Sequence, residues 1–354
     1  MITAVKPHLK KGADLSAKRV MYWRIAQALV WMIGLAIFLL LIFYPSVGLL
    51  ILWNILIPIA PALLVVATGL WRNICPLATT VLLPRHLNIS KRKKMDPLLQ
   101  SKLQLVAVIG LYAIVPLRHA IFNTNGFATA LLLFLTTLVG LLMGFNYDWK
   151  SGWCSSLCPV HPVEKLYGGN TIVALPNAHC DHCVKCTVPC PDTTPNFHPA
   201  ITKKNIYQTL SGLMIIGGLP GFIWGWFQVP DHTGETNAWV FFDAYVYPLI
   251  GFFASVMIFI LFEGLGKEKN ERILISSFAA AGVSIYYWFR IPALLGFGDQ
   301  HADGLLIDLH NTIPQWIIMA ITCATTLFFF YWLVYRKPKL NSWVIRPEYA
   351  SRAH

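Results

Sequence analysis

The sequence predicts an all-α, polytopic membrane protein of about eight transmembrane helices, interrupted by a small cysteine-rich segment. Three observations predict it. The 354 residues are 56% hydrophobic and only 12% charged, about half the charged fraction of a soluble domain, roughly 25%. Apolar stretches of about 20 residues recur along the chain, each long enough to cross about 30 Å of hydrocarbon as a helix. Lys and Arg are concentrated in alternate loops, the bias that cytoplasmic loops of membrane proteins show.

The spans follow in order: 22–43, 47–70, 103–122, 127–147, 207–227, 245–264, 273–292 and 314–335. The first is preceded by basic residues from Lys6 to Arg24 and is too long for a signal-peptide core, so it reads as an uncleaved span. The seventh carries Arg290, with Pro292 at its end. With the N-terminus inside, 26 of the 28 Lys and Arg fall on the inner side, and only Arg118 and Arg290 fall outside. An even span count then puts both termini in the cytoplasm of a bacterial inner-membrane protein. The net charge of +12 is the product of this bias and does not indicate nucleic-acid binding. The chain divides into a first four-helix bundle (1–147), a cytoplasmic segment (148–206), a second four-helix bundle (207–335) and a cytoplasmic tail (336–354).

Seven of the eight cysteines fall on the expected cytoplasmic side. That compartment is reducing, so metal ligation is favoured over disulfides. Cys180, Cys183, Cys186 and Cys190, followed by Pro191, form C-x2-C-x2-C-x3-C-P, the ligand run of a bacterial [4Fe–4S] ferredoxin site. Zinc sites more often pair two C-x2-C units across a longer loop. The fold class is therefore completed by a small cytoplasmic ferredoxin-like iron–sulfur segment. Three closely spaced thiolates hold one corner of a cubane, and a remote Cys is needed as the fourth ligand. In two-cluster ferredoxins the Cys after the three-residue gap serves the other cluster.

A second group of thiols is available. Cys154 and Cys158 form a C-x3-C-P element in Trp153–Pro159, and Cys75-Pro76-Leu77 echoes Cys158-Pro159-Val160 after an earlier even-numbered span. Two cubanes need eight thiolates, and seven lie on this face. The sequence therefore allows one [4Fe–4S] cluster with a spare thiol group, or two with a non-Cys ligand. His161, His179, Asp181 and His182 are the neighbouring candidates for that ligand. Cys154 and Cys158 also read as a structural or reactive pair, Cys75 as a small buried hydrophobe, and Cys323 as core packing.

On the outer side, His119 and His310 stand on different spans. They suit haem b ligation, hydrogen bonding to a quinol, or a plain interfacial role. The outer loops carry Asp231, Glu235, Asp243, Asp299, Asp303 and Asp308, a surface that would suit a basic c-type cytochrome or is simple loop composition. The run Lys91–Lys94 fits anionic lipid heads or an acidic donor such as ferredoxin. Phosphate-binding loops, dinucleotide fingerprints, nucleophile elbows and C-x-x-C-H are absent from the sequence.

At Trp153–Val160 and Cys180–Pro191 the chain resembles the membrane-bound polyferredoxins of the NapH/NosR/CcoG type, over about residues 70–200. Trp71 stands where the first cysteine of the earlier C-x3-C-P element would be, and one ferredoxin run is present where that group often has two. The resemblance implies electron transfer between a quinol pool or cytoplasmic donor and a membrane or periplasmic redox partner. The chain would act within a membrane complex, as an electron-transfer subunit and not as a stand-alone enzyme. The alternative expectation is a metal-handling or assembly factor for a respiratory or periplasmic metalloenzyme.

Overall fold

The computed structural model describes residues 16–147, 152–168, 171–173, 175, 178, 199, 205–229, 238–265, 271–298 and 304–336. Cys180, Cys183, Cys186 and Cys190, with His179, Asp181 and His182, lie outside the described residues. Among the described residues the architecture is helical, and the one β-bridge is an isolated pairing of Lys93 with Tyr147. Eight helical segments are long and apolar enough to cross a membrane.

The first half of the chain contains α1 (Ala17–Phe43), α2 (Pro45–Leu50), α3 (Ile57–Ile74), α4 (Pro76–His86), α5 (Pro97–Ile114) and α6 (Gly126–Asn146). A π-helical turn at Ile51–Leu56 joins α2 to α3, and another at Arg118–Phe122 follows α5. A third, Trp153–Leu157, precedes the short helix α7 (Val160–Tyr167). The second half contains α8 (Ile206–Leu213), α9 (Leu219–Trp226), α10 (Ala238–Leu265), α11 (Glu271–Leu294) and α12 (Gln315–Phe330), and its core is continuous with that of the first.

The expected second span, 47–70, is longer in the structure. Helix runs from Pro45 to His86, broken at Cys75. Proline is tolerated as the first residue of a helix because its missing N–H would have no intrahelical acceptor there. Pro76 therefore restarts a helix where the Cys-Pro pair reads as an end. Pro76 packs beside Gly34 in the middle of α1, and Trp31 Nε1 donates to Thr80 Oγ1 at 3.1 Å. Further along, Ser90 Oγ donates to the Gly144 carbonyl at 2.9 Å, and the Lys91 N–H to that of Phe145 at 2.7 Å. The eleven residues of α4 thus add about 16 Å of helix between Cys75 and the end of α6.

Close helix approach depends on glycine. A Cβ at Gly144 would collide with the Val81 backbone, and Cβ atoms at Gly221 and Gly225 would collide with the Gly251 and Tyr247 carbonyls of α10. Without water to drive helices together, such small-residue contacts carry much of the packing.

Part of the expected cytoplasmic segment 148–206 packs within the helix layer. Leu166 and Tyr167 of α7 belong to the main core with Val65, Val108, Ile215 and Val283, and Gly168 abuts Thr68. The chain then returns along α3. Ala67 leaves helical geometry, and the Val66 carbonyl accepts from the N–H groups of Ile172 (2.9 Å) and Val173 (3.0 Å). Leu175 lies against Gly69, and the Ala178 N–H donates to Asn73 Oδ1 at 3.0 Å. Ile172, Val173, Leu175 and Ala178, which follow α7, thus lie against α3.

Candidate metal centre at the two Cys-Pro breaks

Each Cys-Pro pair starts a helix, and the two starts meet. Cys75 caps α4, and Cys158 ends the π-helical turn just before α7. Cys75 lies close enough to Cys158 for its charge to disfavour ionisation there. The site gathers residues from α3, α4 and α7, separated in sequence by two whole spans.

The Cys158 thiol is under opposing influences. Part of the residue is accessible, but protein surrounds the sulfur, and that burial pushes the thiol up to about 12 from 9.0. Cys75 and Glu164 push the same way, while the Val160 and His161 N–H groups at the start of α7 point at the sulfur and oppose them. Without a cation Cys158 is thus a protonated thiol. The backbone donors are nevertheless placed for a thiolate, since helix N-termini favour negative charge.

Buried ionisable side chains lie on the same elements. Arg72 lies in the last turn of α3, and His161, Glu164 and Lys165 lie on α7, all less than 9% exposed. His161 Nδ1 is 4.0 Å from Glu164 Oε2, and Glu164 Oε1 has no hydrogen-bond partner among the described residues. Asn73 is fully buried. Its carbonyl accepts from Gln27 Nε2 of α1 at 3.0 Å, and its side chain holds Ala178. Gln100 Nε2 of α5 donates to the Ser155 carbonyl at 3.0 Å, fixing the turn that carries Cys154. Cys154 is half-buried in that turn.

No group of three or more His, Cys, Asp or Glu among the described residues has the placement to hold a metal alone. Two neighbouring thiols, with the Val160 and His161 N–H groups directed at the Cys158 sulfur, fit part of a thiolate metal centre. The Ala178 N–H is held by Asn73, two positions before Cys75 in the sequence.

Of the other predicted residues, His119 and His310 are not brought together. His119 is buried, with Nε2 donating to the Trp226 carbonyl at 3.1 Å and its ring 4.4 Å from that indole. His310 is exposed beside Phe297. Cys323, expected in the core, is exposed on α12, because a lipid-facing helix surface accepts a small apolar thiol as readily as a core does.

Arg118 and Arg290, the two cations of the opposite face, are both buried. The Arg118 guanidinium lies 4.0 Å over the Trp53 ring and 4.8 Å from that of Trp226. Arg290 donates to the Trp53 carbonyl at 2.7 Å and to Asn54 Oδ1 at 2.6 Å. Their isolation in otherwise apolar spans was the available sequence signal. Arg72, Asn73, Glu164 and Lys165 escaped sequence reasoning, although Arg72 and Asn73 directly precede the Cys75 break.

The chain matches no protein-family model, no curated protein and no solved structure.

Proposed function

We propose that this chain is a membrane-bound iron–sulfur electron relay of a bacterial inner membrane, its termini and cysteine centre facing the cytoplasm. Cys180, Cys183 and Cys186 supply three thiolates to a [4Fe–4S] cluster, and Cys75 or Cys158 supplies the remote fourth. Such a cluster, when bound, takes up and releases single electrons. Cys190 and the other thiols of the group remain available to a second centre.

The observation that carries this reading is the buried hydrogen bond from Ala178 to Asn73. It ties the entrance of the ferredoxin run to the residue two positions before Cys75. A run that needs one distant thiolate is thereby led to a pair of distant thiols. The recess of Cys75 behind α4 favours a partner reached through the membrane, such as a quinone or another subunit. The basic loop at Lys91–Lys94 suits a cytoplasmic donor instead.

Cys183→Ser and Cys158→Ser, purified anaerobically beside the parent protein, test the assignment. Both should lower iron and acid-labile sulfide per chain while the protein remains inserted and monodisperse. A full cluster signal in Cys183→Ser would sink the ferredoxin reading. A full, unshifted signal in both Cys75→Ser and Cys158→Ser would remove the remote-ligand role. Copper held by these two cysteines independently of the 180–190 run would support metal handling instead.

A further inference from the structure

The ends of α11 and α12 form a site separate from the cysteine centre. Where α11 begins and the π-helical turn Tyr331–Tyr335 ends, an open groove of about 620 Å³ lies between the two elements. Arg272, Ile273, Leu327, Phe330, Val334 and Tyr335 line it. Leu327 and Ile273 are exposed, so the groove opens sideways, toward the acyl chains of the bilayer if these helices span it.

Its polar end is ordered. Arg272 Nη2 donates to the Arg336 carbonyl at 3.1 Å, so Arg336 adjoins the groove-lining Arg272. The Arg336 guanidinium lies 3.9 Å over the Trp332 ring, and the Tyr331 and Tyr335 rings stack at 5.6 Å. The adjoining sequence adds Lys267, Lys269, Lys337 and Lys339, making six cations against Glu268 and Glu271 over 266–272 and 336–339. By the alternation of spans, this end faces the same side as Cys75 and Cys158.

We infer that this groove binds one anionic phospholipid, with an acyl chain along Leu327, Phe330 and Val334 and the phosphate at Arg272 and Arg336. The charge selects the head group: a zwitterionic lipid offers the same phosphate but cancels it with an amine. The apolar channel and the flanking tyrosines distinguish the site from a merely basic loop, because basic pockets between spanning helices bind acidic head groups while interfacial aromatics fix their depth. This assignment does not depend on the electron-relay reading.

Native mass spectrometry of the full chain in detergent, titrated with phosphatidylglycerol or phosphatidylcholine, tests it. One phosphatidylglycerol should be retained in preference to phosphatidylcholine. Arg272→Gln/Arg336→Gln should weaken its retention about thirtyfold, from roughly a fivefold loss per cation removed at the surface. Val334→Trp fills the groove but keeps every charge, so it should also reduce retention. Elution volume and far-UV circular dichroism establish that each variant is folded. If the arginine variant does not fold, Val334→Trp and the lipid preference of the parent protein decide the matter. Equal retention of the two lipids by the parent overturns the inference, as does undiminished phosphatidylglycerol retention by either folded variant.

Discussion

The ionisation of Cys158 gives the candidate centre a sharp chemical signature. In the metal-free protein its thiol is pushed from 9.0 up to about 12. A three-unit rise means about a thousandfold less thiolate at pH 8.5 than an ordinary cysteine would have, since each unit is tenfold. Only the thiolate is alkylated at an appreciable rate. Iodoacetamide labelling of metal-stripped protein, quantified per cysteine by peptide mass spectrometry from pH 7.5 to 10.5, reads this directly. The Cys158 rate should keep rising about tenfold per pH unit across the whole range. In denatured chain it should level off near 9. The shape of the profile, and not the absolute rate, separates ionisation from steric shielding. The sign for stability follows: between 9 and 12 the unfolded chain has lost this proton and the folded one keeps it. The contribution therefore falls as pH rises, by about 1.4 kcal/mol per unit at most. A Cys158 profile that levels near 9 in the folded protein would refute the account of a buried, charge-crowded thiol.

Three other outcomes follow from the packing. Asn73→Ala removes the acceptor for the buried Ala178 N–H and should cost about 1–3 kcal/mol locally; iron content should fall with little change in helicity by circular dichroism. Gly144→Leu drives a side chain into the Val81 backbone and should separate α4 from α6, costing about 1–3 kcal/mol and lowering the melting temperature in detergent. Arg290→Met leaves the Asn54 side chain and the Trp53 carbonyl without that donor and should cost about 1.5–3 kcal/mol; unchanged thermal stability would contradict the structural role assigned to Arg290.

The spans were legible in the sequence because the bilayer imposes a length that any helix must meet. Seven of the eight expected ranges lie close to the helical segments that form, counting the turns at Arg118–Phe122 and Tyr331–Tyr335. The second span is present but longer than expected, continuing past Cys75-Pro76, because a proline that commonly follows a helix is equally suited to begin one. The packing of α7 into the core was hidden for a different reason. His161, Glu164 and Lys165 fall in the segment expected to be cytoplasmic, yet all three are buried, and this is a property of their neighbours in space. Gly221-x-x-x-Gly225 was visible as a small-residue motif and could have foretold the α9–α10 contact. The chemical types in the candidate site were legible from Cys-Pro spacing alone. The meeting of Cys75 with Cys158 was not, because it depends on how α3, α4 and α7 pack.

The central claim is that these cysteines hold iron and sulfide. Anaerobic purification, iron and acid-labile sulfide per chain, and EPR before and after dithionite test it most directly. About four irons and four sulfides per chain with a reducible signal are predicted for one cluster, and about eight of each would mean two. Zinc or copper at stoichiometric levels without sulfide would contradict the electron-relay account.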